Sequence, residues 1–251
     1  MSIQIIRRKT VKLIIIFTSI LIVSVILILL LMNGIIWFNN PSKKQFPVRG
    51  IDVSHYQGDI DWNVLSDQNV DFVFIKATEG SSHVDKRFAF NWDNANKTKL
   101  VVGAYHFFSF ESSGKTQAEN FIRTVPNISD TLPPVIDIEF YGSFAENPPE
   151  LDKTRAEIDM FLSTLESHYG KKPILYVTHK TYNMYIKGYY KDNPIWIRNV
   201  YARPSLSDSR KWTFWQYSDH GRLEGYEGKE KFIDLNVFNG TMDEFLAFVR
   251  N

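Results

Sequence analysis

Asp137 and Glu139 lie two residues apart in Pro134-Val135-Ile136-Asp137-Ile138-Glu139-Phe140, a run otherwise made of residues that fill buried strands. Side chains alternate along a strand, so the two acids share one face while Ile136, Ile138 and Phe140 take the other. An ionised carboxylate in apolar surroundings costs several kcal/mol unless it is paired, hydrogen-bonded or protonated. The same anomaly recurs in Gly50-Ile51-Asp52-Val53-Ser54 and in Phe232-Ile233-Asp234-Leu235-Asn236. The plainer alternative is that Asp137 and Glu139 are exposed on an edge strand or paired with Arg or Lys. Three apolar strands that each carry an inward-capable acid suggest instead one shared cluster. Anions at Asp137, Asp52 and Asp234 would raise the pKa of Glu139, and partial burial would add to the effect. A carboxyl group could then keep its proton near neutral pH for general acid/base chemistry.

Other chemistries lack their residues. The 251-residue chain has no cysteine, which removes thiolate nucleophiles, disulfides and Cys-ligated metals together. The six histidines form no H-E-x-x-H pair, so no metal site is expected; His55 and His106 either line a cleft or serve as hydrogen-bonded structural residues. There is no G-x-S-x-G elbow, no G-x-x-x-x-G-K-[ST] loop and no G-x-G-x-x-G fingerprint. Six of the 29 basic residues fall in residues 1–44, which hold no acid, leaving 23 against 28 acids beyond that point and a net charge of −5. A mildly acidic domain is a poor nucleic-acid binder, so no nucleic-acid partner is expected.

The elements that must position the acids begin after an apolar leader. Leu13 to Leu31 is an uncharged stretch, which as a helix covers roughly 28 Å of hydrocarbon, enough to span a bilayer. Apolar character resumes at Ile35, Ile36, Trp37 and Phe38. A cleaved signal peptide would have a shorter apolar core and an Ala-x-Ala-like exit, which is missing. Arg7, Arg8, Lys9 and Lys12 precede the span and by the positive-inside rule stay cytoplasmic. The expected organisation is a basic cytoplasmic tail at 1–12, a transmembrane signal anchor at 13–38, a linker at 39–47 and one extracytoplasmic domain at 48–251.

That domain alternates short β-branched or aromatic runs with polar helical stretches, the pattern of a mostly parallel sheet covered by helices. Strands are predicted at Gly50–Ser54, Phe72–Ala77, Val101–Phe107, Val135–Phe140, Pro173–Val177, Ile195–Arg198, Thr213–Tyr217 and Ile233–Val237. Helices are predicted at Asp61–Gln68, Arg87–Lys97, Lys115–Thr124, Thr154–Tyr169 and Met242–Val249. The later strands have less obvious helices between them, so the fold class is α/β, an irregular (β/α) TIM-like barrel. In a parallel barrel the acid-bearing strand ends would converge on the C-terminal face, where such folds place active sites.

With these pieces in place, the sequence resembles the family 25 glycoside hydrolases, the Chalaropsis-type lysozymes, from about Gly50 to Phe238. The resemblance is carried by GIDVSHYQGDIDW at Gly50 to Trp62, FVFIKATEG at Phe72 to Gly80 and GAYHFF at Gly103 to Phe108. It continues with PVIDIE at Pro134 to Glu139, FWQYS at Phe214 to Ser218 and IDLNVFNG at Ile233 to Gly240. It implies an irregular barrel, cleavage of the β-1,4 bond between N-acetylmuramic acid and N-acetylglucosamine in peptidoglycan, and no cofactor. By motif, Glu139 matches the general acid/base, and Asp137, Asp52 and Asp234 the other acidic members of the site.

Glycoside cleavage needs a protonated carboxyl group for the leaving oxygen and a nucleophile or negative charge at the oxocarbenium-like carbon. A retaining pair, an inverting pair and assistance by the sugar's acetamido group, oriented by Asp137, all fit these residues. Tyr56, Tyr105, Phe107, Tyr176, Trp196, Trp215 and Tyr217 lie near strand ends and are candidate sugar-binding residues, although most buried aromatics are simply core. One departure stands out. The family commonly reads Trp-x-Ala-x-Tyr where this chain has Trp196-Ile197-Arg198-Asn199-Val200-Tyr201, so Arg198 either alters substrate contacts or pairs with a nearby acid. The expected protein is a membrane-tethered, monomeric muramidase acting on glycan strands. The alternative is a non-catalytic glycan-binding module on the same barrel.

Overall fold

The computed structural model describes residues 2–37 and 39–250, with side chains from Arg7 onward. Met1, Phe38 and Asn251, which bound the expected tail, span and domain, lie outside the described residues. The chain forms two units, residues 1–38 and 39–251.

The first unit is helix α1 (Ser2–Met32); the most apolar 18 residues within Arg7–Met32 have a mean hydropathy of 3.3, and none of that window is buried. Its stop is written in the sequence. Gly34 takes φ 63°, its N–H donates to Leu31 O (2.9 Å), and the Ile35 N–H reaches back to Leu30 O (3.0 Å). This is a Schellman cap, which satisfies the last carbonyls and ends the helix.

The second unit is an eight-stranded closed barrel. Its strands are β1 (Arg49–Val53), β2 (Phe72–Glu79), β3 (Val101–Phe107), β4 (Val135–Ile138), β5 (Ile174–Thr178), β6 (Ile195–Arg198), β7 (Phe214–Gly221) and β8 (Ile233–Phe238). Strands β1 to β7 run parallel to their sequential neighbours, and β8 closes the ring antiparallel to both β7 and β1. Helices α2 (Trp62–Ser66), α3 (Phe88–Ala95), α4 (Gly114–Thr124) and α5 (Leu151–Tyr169) follow β1 to β4, and α6 (Met242–Arg250) follows β8. Thus the expected elements are present with ends moved by a few residues, but an all-parallel convergence of the acids is not what the barrel does. Asp52 and Asp137 approach the cleft from strand C-termini, whereas Asp234 arrives at the start of a strand running the other way.

Period-two alternation splits the core into two layers. Phe72, Phe74, Val135, Ile174, Tyr176, Trp196, Phe214 and Phe238 fill the barrel, and Val48, Leu132, Phe245 and Val249 join them. Phe74 stacks on Trp196 with centroids 4.4 Å apart. Space for these rings is made by glycine: a Cβ on Gly50 would lie 2.2 Å from the Phe72 ring, and one on Gly103 2.8 Å from that of Phe74. The outward side chains, among them Ile51, Val73, Ile136, Ile138, Val177 and Ile197, belong to a separate core that includes Phe121, Ile158, Phe161 and Leu165 of α4 and α5. Burying each such side chain contributes about 1.5–3 kcal/mol, and together they fix the phase of every strand.

Residues 39–47 pack on this unit. The buried Phe46 ring lies 5.7 Å from that of Trp212 and 5.9 Å from that of Trp215, and Asn39 Nδ2 donates to the carbonyl of Tyr217 at 2.8 Å.

Candidate active site

Three strands deliver four carboxyl groups to one mouth. Asp52 is the fourth residue of β1, Asp137 the third of β4, and Glu139 follows the last residue of β4. Asp234, second in β8, stands opposite Asp52 in register. All four line a cleft of about 490 Å³, which adjoins a recess of about 90 Å³ against Tyr176, Trp196 and Gln216.

The acids are held by amides. Gln216 Nε2 donates to Asp52 Oδ2 (2.9 Å) and Asp234 Oδ2 (3.2 Å), while its Oε1 accepts from the Tyr176 hydroxyl (2.9 Å). Asn236 Nδ2 donates to Asp52 Oδ2 (2.7 Å), and its Oδ1 accepts from Trp196 Nε1 (2.8 Å). An indole N–H can only donate, so it fixes which end of Asn236 faces the acid. Asp137 differs: its Oδ1 is buried without a hydrogen-bond partner.

Burial dominates the electrostatics. It raises the carboxyl pKa of all four acids, most strongly at Asp137 and Asp234. Repulsion from Glu139 adds to the rise at Asp137, and Asp52 does the same to Asp234. At Glu139 burial is opposed by Arg198 and Lys76 and reinforced by Asp52. Desolvation and mutual repulsion act together, so the cluster holds its protons to higher pH than isolated carboxyls do. Burial and the surrounding acids also push Tyr105 and Tyr176 well above the usual phenol range, which keeps both as hydroxyl donors.

The sequence-predicted residues divide into two groups. Tyr105 lines both cleft and recess, Tyr176 and Trp196 wall the recess, and Phe107 and Tyr56 line the outer cleft. Trp215 and Tyr217 are not brought to the site. They point out of the barrel, where Trp215 Nε1 donates to Asn199 O (2.9 Å) and the Tyr217 hydroxyl accepts from Arg49 Nη1 (3.0 Å). The reason is phase, because Phe214 and Gln216 occupy the inward positions of β7. Gln216, Asn236 and Lys76 were missed, although each is a polar residue in step with an inward residue of its own strand. His106 is structural: it lies between Thr78 Oγ1 (2.7 Å) and Gln117 Oε1 (3.0 Å), and burial lowers its pKa to about 4. His55 Nδ1 contacts the buried Asp85 (2.7 Å). Arg198 does pair with an acid, its Nη2 lying 2.7 Å from Asp219 Oδ2 at the cleft wall.

A closed barrel with clustered acids at its mouth is shared by several hydrolase families, and comparison with known proteins distinguishes among them. The model for glycosyl hydrolases family 25 matches residues 51–226. The chain belongs to this family. A family 25 glycosyl hydrolase from Bacillus anthracis is 55% identical with a TM-score of 0.80, over 84% of this chain and 97% of that one. Lysozyme M1 of Streptomyces globisporus is 36% identical over 214 residues, 81% of this chain and 72% of that protein. An N,O-diacetylmuramidase from Chalaropsis sp is 29% identical over 209 residues, 76% of this chain and 96% of that protein. This family 25 chain is therefore a glycoside hydrolase of the lysozyme class, and peptidoglycan is the substrate of that class.

Proposed function

We propose that the barrel cleaves the β-1,4 bond between N-acetylmuramic acid and N-acetylglucosamine with Glu139 as the proton donor, while α1 anchors it in a membrane with the barrel outside. The observation that carries the catalytic reading is the position of Glu139, partly exposed at the mouth beside the buried Asp52 and Asp137, with burial raising its pKa. It holds a proton that the leaving oxygen of N-acetylglucosamine takes as the bond to the anomeric carbon of N-acetylmuramic acid breaks. Water then adds at that carbon and returns a proton to the Glu139 carboxylate.

Asp137 serves the other half of the reaction. Its unpartnered Oδ1 is an acceptor suited to the N–H of the sugar's acetamido group. That bond favours the ionised form of Asp137 and turns the acetamido oxygen toward the anomeric carbon, where it stabilises the developing positive charge; net retention follows. Asp52, held by Gln216 and Asn236, supplies fixed negative charge nearby.

The anchor reading rests on the apolar Arg7–Met32 stretch and on Arg7, Arg8, Lys9 and Lys12 at its N-terminal end, with no acid in that segment. Two experiments test the whole reading. Peptidoglycan digested by residues 39–251 is reduced with borohydride, and its new ends are identified by mass spectrometry. Reduced muramic acid supports the assigned bond, and reduced glucosamine ends would refute it. Carbonate extraction of membranes carrying the full chain should leave it in the pellet.

A further inference from the structure

The chain between the anchor and the barrel is short, and it joins the barrel at its catalytic end. Asn39 is buried, and its Nδ2 donates to the carbonyls of Tyr217 (2.8 Å) and Asn199 (3.3 Å). These residues are chain neighbours of Gln216 and Arg198, which face the mouth. Asn39 is thus fixed on the outside of the wall at the level of the active site.

From there residues 40–47 pass over the outward side of Trp215 and Trp212 to the start of β1. Arg49 hydrogen-bonds the carbonyl of Pro41 and the Tyr217 hydroxyl, and the Arg203 guanidinium lies 5.4 Å from the Phe46 ring centroid. Phe46, Trp212 and Trp215 form an aromatic contact on this side of the barrel. The outward direction of Trp215 and Tyr217 thereby has a use: they bind this strap.

On the membrane side, the Schellman cap ends α1 at Gly34 and folds Ile35 back onto Leu30. Only residues 36–38 separate Ile35 from Asn39. Four residue steps at about 3.3–3.6 Å each reach no more than roughly 14 Å. A domain of this length has a radius of gyration of about 17 Å, so the connection is shorter than the radius of the domain it holds.

We propose that this short tether at the catalytic end restricts the enzyme to glycan lying at the membrane surface and excludes glycan deeper in the wall. The proposal rests on the anchoring and hydrolysis described under Proposed function. Its substrate class is muramic acid-containing strands that are still membrane-proximal. Residues 39–47 then set where the enzyme cuts as well as covering the barrel.

The test uses the full chain in phosphatidylglycerol–phosphatidylethanolamine vesicles, barrel outward, beside a variant with about 30 Gly/Ser residues inserted after Phe38. Such a linker has an average span of roughly 30 Å and a much longer maximum reach. Soluble glycan oligomers and insoluble peptidoglycan particles are the two substrates. The expected result is equal cleavage of the oligomers, within about twofold, and cleavage of the particles at least tenfold faster by the lengthened chain. Equal rates on the particles overturn the proposal while leaving the hydrolase reading intact. Failure of both chains on the oligomers refutes the hydrolase reading, and loss of the chain from carbonate-washed vesicles refutes the anchoring; either removes the basis of the proposal in a distinguishable way.

Discussion

Asp52 and Asp234 stand directly opposite one another on antiparallel strands, and a single amide group, Gln216 Nε2, donates to both. Like charges in that position repel, and burial raises the pKa of both carboxyls. Repulsion from Asp52 adds to the rise at Asp234, while the amides of Gln216 and Asn236 favour the ionised form of Asp52. The antiparallel entry of β8 makes this pairing possible.

Removing the amide should therefore disturb the charge. Gln216→Leu leaves Tyr176 without its acceptor and both acids without their shared donor. We expect a loss of roughly 10–100-fold in kcat, with KM much less affected, while circular dichroism stays that of the folded protein. An unchanged kcat would mean that the amide is only packing.

The raised carboxyl pKa values carry a stability consequence of definite sign. Between the ordinary carboxylate range and the raised values, the folded protein binds more protons than the unfolded chain. The cluster therefore favours folding fully below about pH 4 and loses that contribution as the pH rises through the folded pKa values. Asp137→Asn keeps the shape and removes one buried charge. It should abolish most activity yet raise Tm at pH 7 by roughly 3–6 °C, equivalent to about 1–2 kcal/mol, with the gap closing near pH 3.5. A lower Tm at pH 7 would place Asp137 among the stabilising groups.

Arg198 offers a test of the pH profile. Its guanidinium opposes the effect of burial on Glu139. In Arg198→Ala the proton on Glu139 is held more tightly, and the alkaline limb of the kcat/KM profile should move up by about half a pH unit or more. A shift in the acid direction would contradict the assignment of that limb to Glu139.

His106 behaves oppositely to the acids. Burial holds its ring neutral down to about pH 4, against 6.5 for a free histidine. It contributes stability above pH 6.5 that is lost as the pH falls through 4. Nitrogen-15 NMR should find the proton on Nε2, facing Gln117, and a titration midpoint near 4; a midpoint near 6.5 would refute the buried assignment.

Much of this site could be read in the sequence because charge inside an apolar run is expensive and conspicuous. Asp52, Asp137 and Asp234 announced themselves that way, and alternation carried Glu139 with them. Alternation was also what the aromatic residues of β7 needed. Large side chains at Trp215 and Tyr217 suggested sugar contacts, but Gln216 between them takes the inward position, and a lone polar amide in an apolar strand was the available signal. Two features had no local signature. The direction of β8 depends on which strands it pairs with, and the packing of residues 39–47 depends on a single apolar anchor, Phe46, in a polar stretch.

The central claim is that Glu139 gives the proton to the departing sugar. Residues 39–251 and their Glu139→Gln variant should be compared for reducing ends released from purified peptidoglycan across pH 4 to 8, with Tm measured on both. The account predicts at least about a thousandfold lower rate in the variant at every pH, with Tm unchanged or higher. A folded variant that retains more than about a tenth of the wild-type rate would contradict it and move the acid to another member of the cluster.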